Sequence, residues 1–269
     1  MPFPDIDPII FQIGPIAIRW YSMAYIAGLL IGLMYLKQLM RKFDFSISVE
    51  KIDDFLIWAI VGVILGGRLG YVIFYQLDFY LDNPIAIVQT WKGGMSFHGG
   101  LLGVAIATVV FAKRHGLPIL LISDLVAVAA PIGLFFGRLA NFINGELYGR
   151  TTDVSWGVVF PHGGPLPRHP SQLYEAALEG IVLFLILNVM LRFPEIRRRK
   201  GILAGVFLIG YGLARSIVEL FRQPDEHIGF LIGGTTLGQW LSMPLILVGI
   251  ILISLALRET RTQQGRTLF

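Results

Sequence analysis

The sequence predicts an all-α polytopic membrane protein with seven transmembrane helices, on three observations. Hydrophobic residues make up 55% of the chain and charged residues 15%, a balance too apolar for a soluble domain. Seven hydrophobic segments can be drawn, at about 16–36, 55–75, 95–112, 117–137, 172–191, 202–221 and 237–257, and several reach the roughly 20 residues that cross a bilayer as helix. The third observation is that Lys and Arg alternate between the connections. One side carries Lys37, Arg41, Lys42 and Lys51, then Lys113 and Arg114, then the run from Arg192 to Lys200, and finally Arg258, Arg261 and Arg266. The other carries only Lys92, Arg150, Arg168 and Arg222. Positive-inside bias then puts the N-terminus outside and the C-terminus in the cytoplasm. Residues 1–269 read as a single integral membrane domain, and 138–172 as a polar segment plus a small extracytoplasmic head between helices four and five.

Taken in order, the chain opens on M-P-F-P-D-I-D-P, which lacks the basic region and small-residue cleavage pattern of a removable signal peptide. Segment one carries Tyr21 near its outer end. Segment two rises outward, placing Arg68 about 20 Å up a hydrocarbon core of about 30 Å. Gly62/Gly66/Gly70, Gly28/Gly32, Gly99/Gly103 and Gly201/Gly205 are spaced by four, which lets helix backbones approach closely. His98 lies at the outer start of segment three among Gly93, Gly94, Gly99 and Gly100, which either bring backbone to a ligand or turn a re-entrant segment. Segment four ends outside at Arg138. In the head, V-S-W-G-V-V-F reads as a short strand, and Pro161, Pro165, Pro167 and Pro170 stiffen the return to the membrane. Glu175 and Glu179 open segment five, and Arg215 on segment six lies about 21 Å up. Polar groups from six helices thus gather in the outer half of the membrane. Asp124 lies on the inner side, with no role assigned.

The stretch Gly137 to Arg150, G-R-L-A-N-F-I-N-G-E-L-Y-G-R, follows a long apolar run yet holds two Arg, two Asn and a Glu. If helix continues, Arg138, Asn141 and Gly145 share one face. Such a face at a membrane helix end meets protein, water or a polar ligand; the bland alternative is an interfacial belt of snorkelling Arg and capping Asn. On segment six, Tyr211, Arg215 and Glu219 stack at i, i+4 and i+8, and Arg215–Glu219 could be no more than a local ion pair. With Arg68 and Arg138 near by, three guanidiniums and few carboxylates leave a positive potential suited to a lipid phosphate. His98 beside such a site is a possible general base. The chain has no cysteine, which excludes a disulfide framework and a cysteine nucleophile of its own. HExxH, paired-His metal spacing, P-loop and G-x-S-x-G motifs are missing too, so metal, nucleotide and serine-hydrolase chemistry lack support.

Three further motifs join that stretch: H-G-G from His98, R-H-P-S-Q-L-Y-E-A from Arg168, and Y-G-x-x-R-x-x-x-E from Tyr211. Together, and in this order, they make the chain resemble the prolipoprotein diacylglyceryl transferase family, from about Ile18 to at least Asp225. Ala140 stands where many members have Gly, a difference of one methyl group. The resemblance implies phosphatidylglycerol as donor and, as acceptor, the thiol of the lipobox cysteine just after a prolipoprotein's signal-peptide hydrophobic region. Transfer of the diacylglyceryl group forms a thioether and releases glycerol 1-phosphate, at the outer leaflet of the bacterial inner membrane. No cofactor, metal or nucleic acid is implied.

The resemblance carries importance onto Tyr21, His98, Arg138, Asn141, Glu146, Gly149, Tyr211, Arg215 and Glu219. By their chemistry, Arg138 with Asn141 holds the donor phosphate, Arg68 adds to that binding, and Arg215 neutralises charge on the leaving phosphate. His98 is either the base for a thiol of ordinary pKa about 8.5 or a group that orients lipid. Glu146 and Glu219 orient the Arg side chains, Tyr21 and Tyr211 position donor or thiol, and Asn144 and Gly149 support the site. The alternative class is a polytopic lipid or anion transporter, which needs polar residues in both leaflets and usually two related halves. A seven-helix light sensor is disfavoured because segment seven has no Lys for a retinal Schiff base.

Overall fold

A computed structural model describes residues 1–4, 6–14, 16–45, 47–224 and 229–266; Asp225, to which the resemblance extends at least, lies outside the described residues. Each of the seven hydrophobic segments contains a helix. They form α1 (Trp20–Lys42), α2 (Val49–Tyr75), α3 (Phe97–Arg114), α4 (Ile119–Ile143), α5 (Ser171–Leu191), α6 (Ile202–Val218) and α7 (Leu237–Arg266). Among the described residues, α1, α2, α4, α5 and the Leu237–Arg258 part of α7 are long and apolar enough to cross a membrane, and α6 is a shorter apolar helix. Apolar side chains such as Leu65, Leu102, Leu185 and Leu247 stand more than half exposed on these helices, the surface expected of a chain solvated by lipid.

The chain is not purely α-helical. Strands β1 (Ile9–Ile13) and β2 (Ile16–Arg19) pair antiparallel, with an irregular register between Ile9 and Phe11. Isoleucines at 9, 10, 13, 16 and 18 favour extended backbone over helix, so α1 begins at Trp20 and not at about 16. In the head, V-S-W-G-V-V-F forms no continuous strand. It makes isolated bridges, Val158 with Arg168 and Val159 with Pro2, because the prolines after it supply no amides for a ladder.

Contacts divide the chain into two compact units, Met1–Tyr35 with Asp124–Phe269, and Leu36–Ser123. Within the second, α2 and α3 pack through their glycines: a Cβ on Gly66 would fall 2.7 Å from the Gly103 Cα. Spacing by four serves packing there, as expected. In the first unit Gly205 likewise meets α7, where a Cβ would lie 2.8 Å from the Gly249 carbonyl oxygen. Gly201, paired with Gly205 by spacing, does something else. It adopts φ 96° ahead of α6 and donates its amide to Asp124 Oδ2 at 2.7 Å, while the Ala204 amide meets Oδ1 at 2.7 Å. Asp124, reaching from α4, therefore caps α6 and satisfies amides that a helix start leaves open.

Asp124→Ala should accordingly lower stability by about 1–3 kcal/mol, read as thermal unfolding of the purified protein, and Asp124→Asn should lose less. An alanine variant that melts with the native protein would remove the capping role.

Candidate functional site

The first unit gathers charge around one carboxylate. Glu175 sits near the start of α5, after Pro170 and the buried Ser171 and Gln172. From Ala176 to Val182 the same helix is π-helical, a widened turn that often marks a functional region. This carries Glu179 through the widened stretch. Gly180 beside it lies against α4, where a Cβ would fall 2.7 Å from that of Phe135.

Both carboxylates are fully buried, and three guanidiniums meet them. Arg138 on α4 places Nη1 3.2 Å from Glu175 Oε2, and donates from Nε and Nη2 to Glu179 Oε2 at 3.1 and 2.9 Å. Arg215 on α6 pairs with Glu175 Oε1 through Nη1 and with Glu219 Oε1 through Nη2, the latter at 2.5 Å. Arg222, just beyond α6, lies 3.4 Å from Glu175 and 3.7 Å from Glu219. Tyr211 faces the Glu179 and Arg138 charges. The expected local pair Arg215–Glu219 is present, but as one edge of a larger array.

That array corrects the expectation of a strongly positive site. Three arginines are matched by three glutamates, so their formal charges cancel. Low-dielectric surroundings demand it: an unpaired buried charge costs several kcal/mol. From sequence, Glu175 and Glu179 fall in the outer half but outside the expected site, and Arg222 is only one of the outer basic residues. Their signals were the i, i+4 pair Glu175/Glu179, and Arg222 three residues after Glu219.

A second group adjoins the first along α4. Asn141, one turn after Arg138, donates to Glu146 Oε1 at 2.8 Å, and Asn144 approaches the same oxygen at 3.5 Å. The Tyr21 hydroxyl lies 3.3 Å from that of Tyr25, close to the Asn141 side chain. Glu146 thus orients asparagines, not the arginine expected. Gly145 also departs from expectation: α4 ends at Ile143, and Gly145 turns out of the helix at φ 64°. The chain then passes through Leu147, a non-glycine residue at φ 60°, a strained conformation of the kind that clusters at functional sites. Gln172 and Ser171 hold the carbonyls of Glu146 and Leu147 at 2.6 and 3.0 Å.

Gly149 and Arg150 tie this turn to the end of α6. The Gly149 amide meets the His169 carbonyl at 2.8 Å, and the Arg150 amide meets that of Phe221 at 2.7 Å. Arg150 also donates from its side chain to the carbonyls of Arg222 and Glu219, at 2.9 and 3.0 Å. In the head, Trp156 Nε1 donates to the Tyr174 hydroxyl at 2.7 Å, leaving that hydroxyl to donate to His169 Nδ1 at 3.1 Å. Burial holds the His169 imidazole below its ordinary pKa, consistent with a neutral ring whose Nδ1 accepts.

Arg68 and His98 belong to the second unit. Arg68, 4% exposed, donates to five backbone carbonyls: Ile87 from Nε, Gly93 and Gly94 from Nη1, Ala86 and Gln89 from Nη2, at 2.5–3.4 Å. Its planar fork is spent on shaping this loop, where Gly93 and Gly94 take φ of 85° and 83°. His98 is the second residue of α3, which Ser96 caps by accepting the Gly99 amide at 3.2 Å.

The family described as prolipoprotein diacylglyceryl transferase matches residues 8–255. The chain is also similar to curated proteins named phosphatidylglycerol–prolipoprotein diacylglyceryl transferase. That of Paramagnetospirillum magneticum is 58% identical over 96% of both chains, and that of Azospirillum brasilense 58% identical over 96% of this chain and 97% of its own. That of Allorhizobium ampelinum is 52% identical over 98% of this chain and 94% of its own.

Gly149→Ala offers a test of the turn. Its Cβ would fall 2.6 Å from both the His169 Cβ and the Phe221 carbonyl oxygen, so the variant should lose about 1–3 kcal/mol of stability. Native-like thermal unfolding of that variant would show that the junction yields freely.

Proposed function

The chain belongs to the prolipoprotein diacylglyceryl transferase family, and on that premise we propose how its residues share the reaction. It is a membrane-embedded transferase that moves the diacylglyceryl group of phosphatidylglycerol to a prolipoprotein. In this reading all seven helices span the bacterial inner membrane, with the N-terminus outside and the C-terminus in the cytoplasm. The clusters of Arg138 and Asn141 then work at the outer leaflet, where a signal-peptide cysteine arrives. The transporter alternative is not favoured.

One observation supports the site assignment most. Side chains of Arg138 and Arg215 keep 14% and 15% exposure, while those of Glu175 and Glu179 keep none. The cluster therefore leaves its arginine side chains partly accessible and hides these two carboxylates, an arrangement that suits a phosphodiester. Arg138 with Asn141 receives the donor phosphate. Glu146 fixes the Asn141 amide, and Tyr21 and Tyr211 flank the reacting groups. His98 takes the proton of the lipobox thiol. The thiolate attacks the glyceryl carbon bonded to the phosphate oxygen, a carbon–sulfur bond forms, and the carbon–oxygen bond breaks. Its electron pair passes to the departing glycerol phosphate, whose growing charge Arg215 stabilises, the type of term that often dominates catalysis. Arg68 acts by holding its loop and leaves the phosphate to Arg138 and Arg215.

Turnover of phosphatidylglycerol with a lipobox peptide, followed by mass spectrometry, tests these roles. A peptide with serine in place of cysteine should not be modified, because an alcohol offers almost no anion; efficient serine modification would remove thiolate formation from the mechanism. Arg138→Lys should fail nearly as badly as Arg138→Ala, since lysine keeps charge but loses the fork. His98→Asn should lose about 10²–10⁴ in rate, a deficit that narrows as pH rises toward the thiol pKa, while the Arg138 deficit does not. A near-normal Arg138→Lys ends the clamp, and a pH-independent His98→Asn deficit makes His98 an orienting group.

A further inference from the structure

Glu179 is the loosely held member of the buried cluster. Its side chain has no exposure, and its two oxygens differ. Oε2 accepts both Nε and Nη2 of Arg138, while Oε1 is a buried acceptor without a hydrogen-bond partner among the described residues. Charged and titratable groups face it from each neighbouring helix: Arg138 on α4, Glu175 one turn earlier on α5, and Arg215 and Tyr211 on α6. Glu175 cannot leave Arg138 without disturbing Arg215 and Arg222, and Glu219 is held by those same two. Among the described residues, Glu179 has its ion pair with Arg138 alone.

The charge balance makes this matter. The cluster by itself is formally neutral, and a phosphodiester adds one negative charge to a largely buried site. An uncompensated buried charge costs several kcal/mol, so either a carboxylate must give way or a proton must enter. A carboxylate that loses its arginine while still buried is retained most cheaply as the neutral acid. Both remedies meet at Glu179.

We propose that Glu179 occupies the phosphate seat on Arg138 before donor binds, and that the donor phosphate replaces it there while one proton from solvent passes to Glu179. This rests on the reading that Arg138 holds the donor phosphate. Glu179 is then a positioning residue. It keeps the Arg138 fork aimed and neutralised between turnovers, and it sets the pH range over which donor is captured.

The probe is dihexanoylphosphatidylglycerol, titrated calorimetrically without acceptor peptide into the detergent-purified protein, in two buffers of different ionisation enthalpy. Native protein should take up about one proton per donor bound, and its affinity should weaken about tenfold per pH unit on the alkaline side. Glu179→Gln keeps a neutral oxygen for Arg138 but cannot take the proton. It should bind at least as tightly as native protein, without proton uptake and without that pH slope. Absence of proton uptake by the native protein overturns the inference, and needs no variant. Weaker binding by Glu179→Gln also overturns it, since a carboxylate that merely braces Arg138 would give that result. If the native protein shows no uptake while Arg138→Lys binds poorly, only the exchange fails and the clamp stands. If Arg138→Lys binds as tightly as native, Arg138 is not the seat, and both fall.

Discussion

A single buried carboxylate, Glu175, holds three guanidiniums that would otherwise repel one another. Arg138 and Arg222 lie within 3.4 Å of it and Arg215 is bonded to it directly. They come from α4, α6 and the segment after α6, so the carboxylate joins parts of the chain that are far apart in sequence. In a medium of low dielectric none of these charges is tolerable alone, and breaking a buried pair from one side costs about 3–5 kcal/mol. The geometry is therefore coupled: removing any member unbalances the charge of the rest.

The surrounding architecture serves that array. Helix α6, which carries Arg215, is fixed at both ends by groups from elsewhere. Asp124 takes the amides of Gly201 and Ala204 at its start, and Arg150 takes the carbonyls of Glu219 and Arg222 beyond its end. Space is made for the carboxylates by missing side chains. A Cβ on Gly238 of α7 would strike the Glu219 carboxyl group, and one on Gly180 would strike Phe135. The segment from Arg138 to Arg150 thus acts twice, supplying a guanidinium at one end and a clamp at the other. Binding and positioning share one piece of chain.

Much of this was legible in the sequence. Seven apolar segments gave seven helices, and glycines spaced by four became the α2–α3 contact at Gly66 and Gly103. The motif residues Arg138, Asn141, Tyr211, Arg215 and Glu219 all lie in the first unit's polar region. What stayed hidden depended on pairing across the fold. Arg68 looked like a ligand because an arginine deep in a membrane segment needs a partner; five carbonyls of its own loop supply it. Glu175 and Glu179 looked peripheral because no sequence pattern states that two arginines some 40 residues away on either side converge on them. Asp124 had no visible role because the amides it caps lie 77 and 80 residues onward. The N-terminal hairpin was absorbed into the first apolar segment, since hydrophobicity alone does not separate strand from helix over a short run.

The most direct measurement is turnover of phosphatidylglycerol and lipobox peptide by Glu175→Gln, with the folded fraction matched to that of the native protein. Glutamine keeps the shape and an acceptor but removes the charge that binds Arg138, Arg215 and Arg222 together. Turnover should fall by about 10²–10³-fold, the scale on which a preorganised electrostatic contact contributes to catalysis. Near-native turnover would contradict the dependence of the site on this carboxylate.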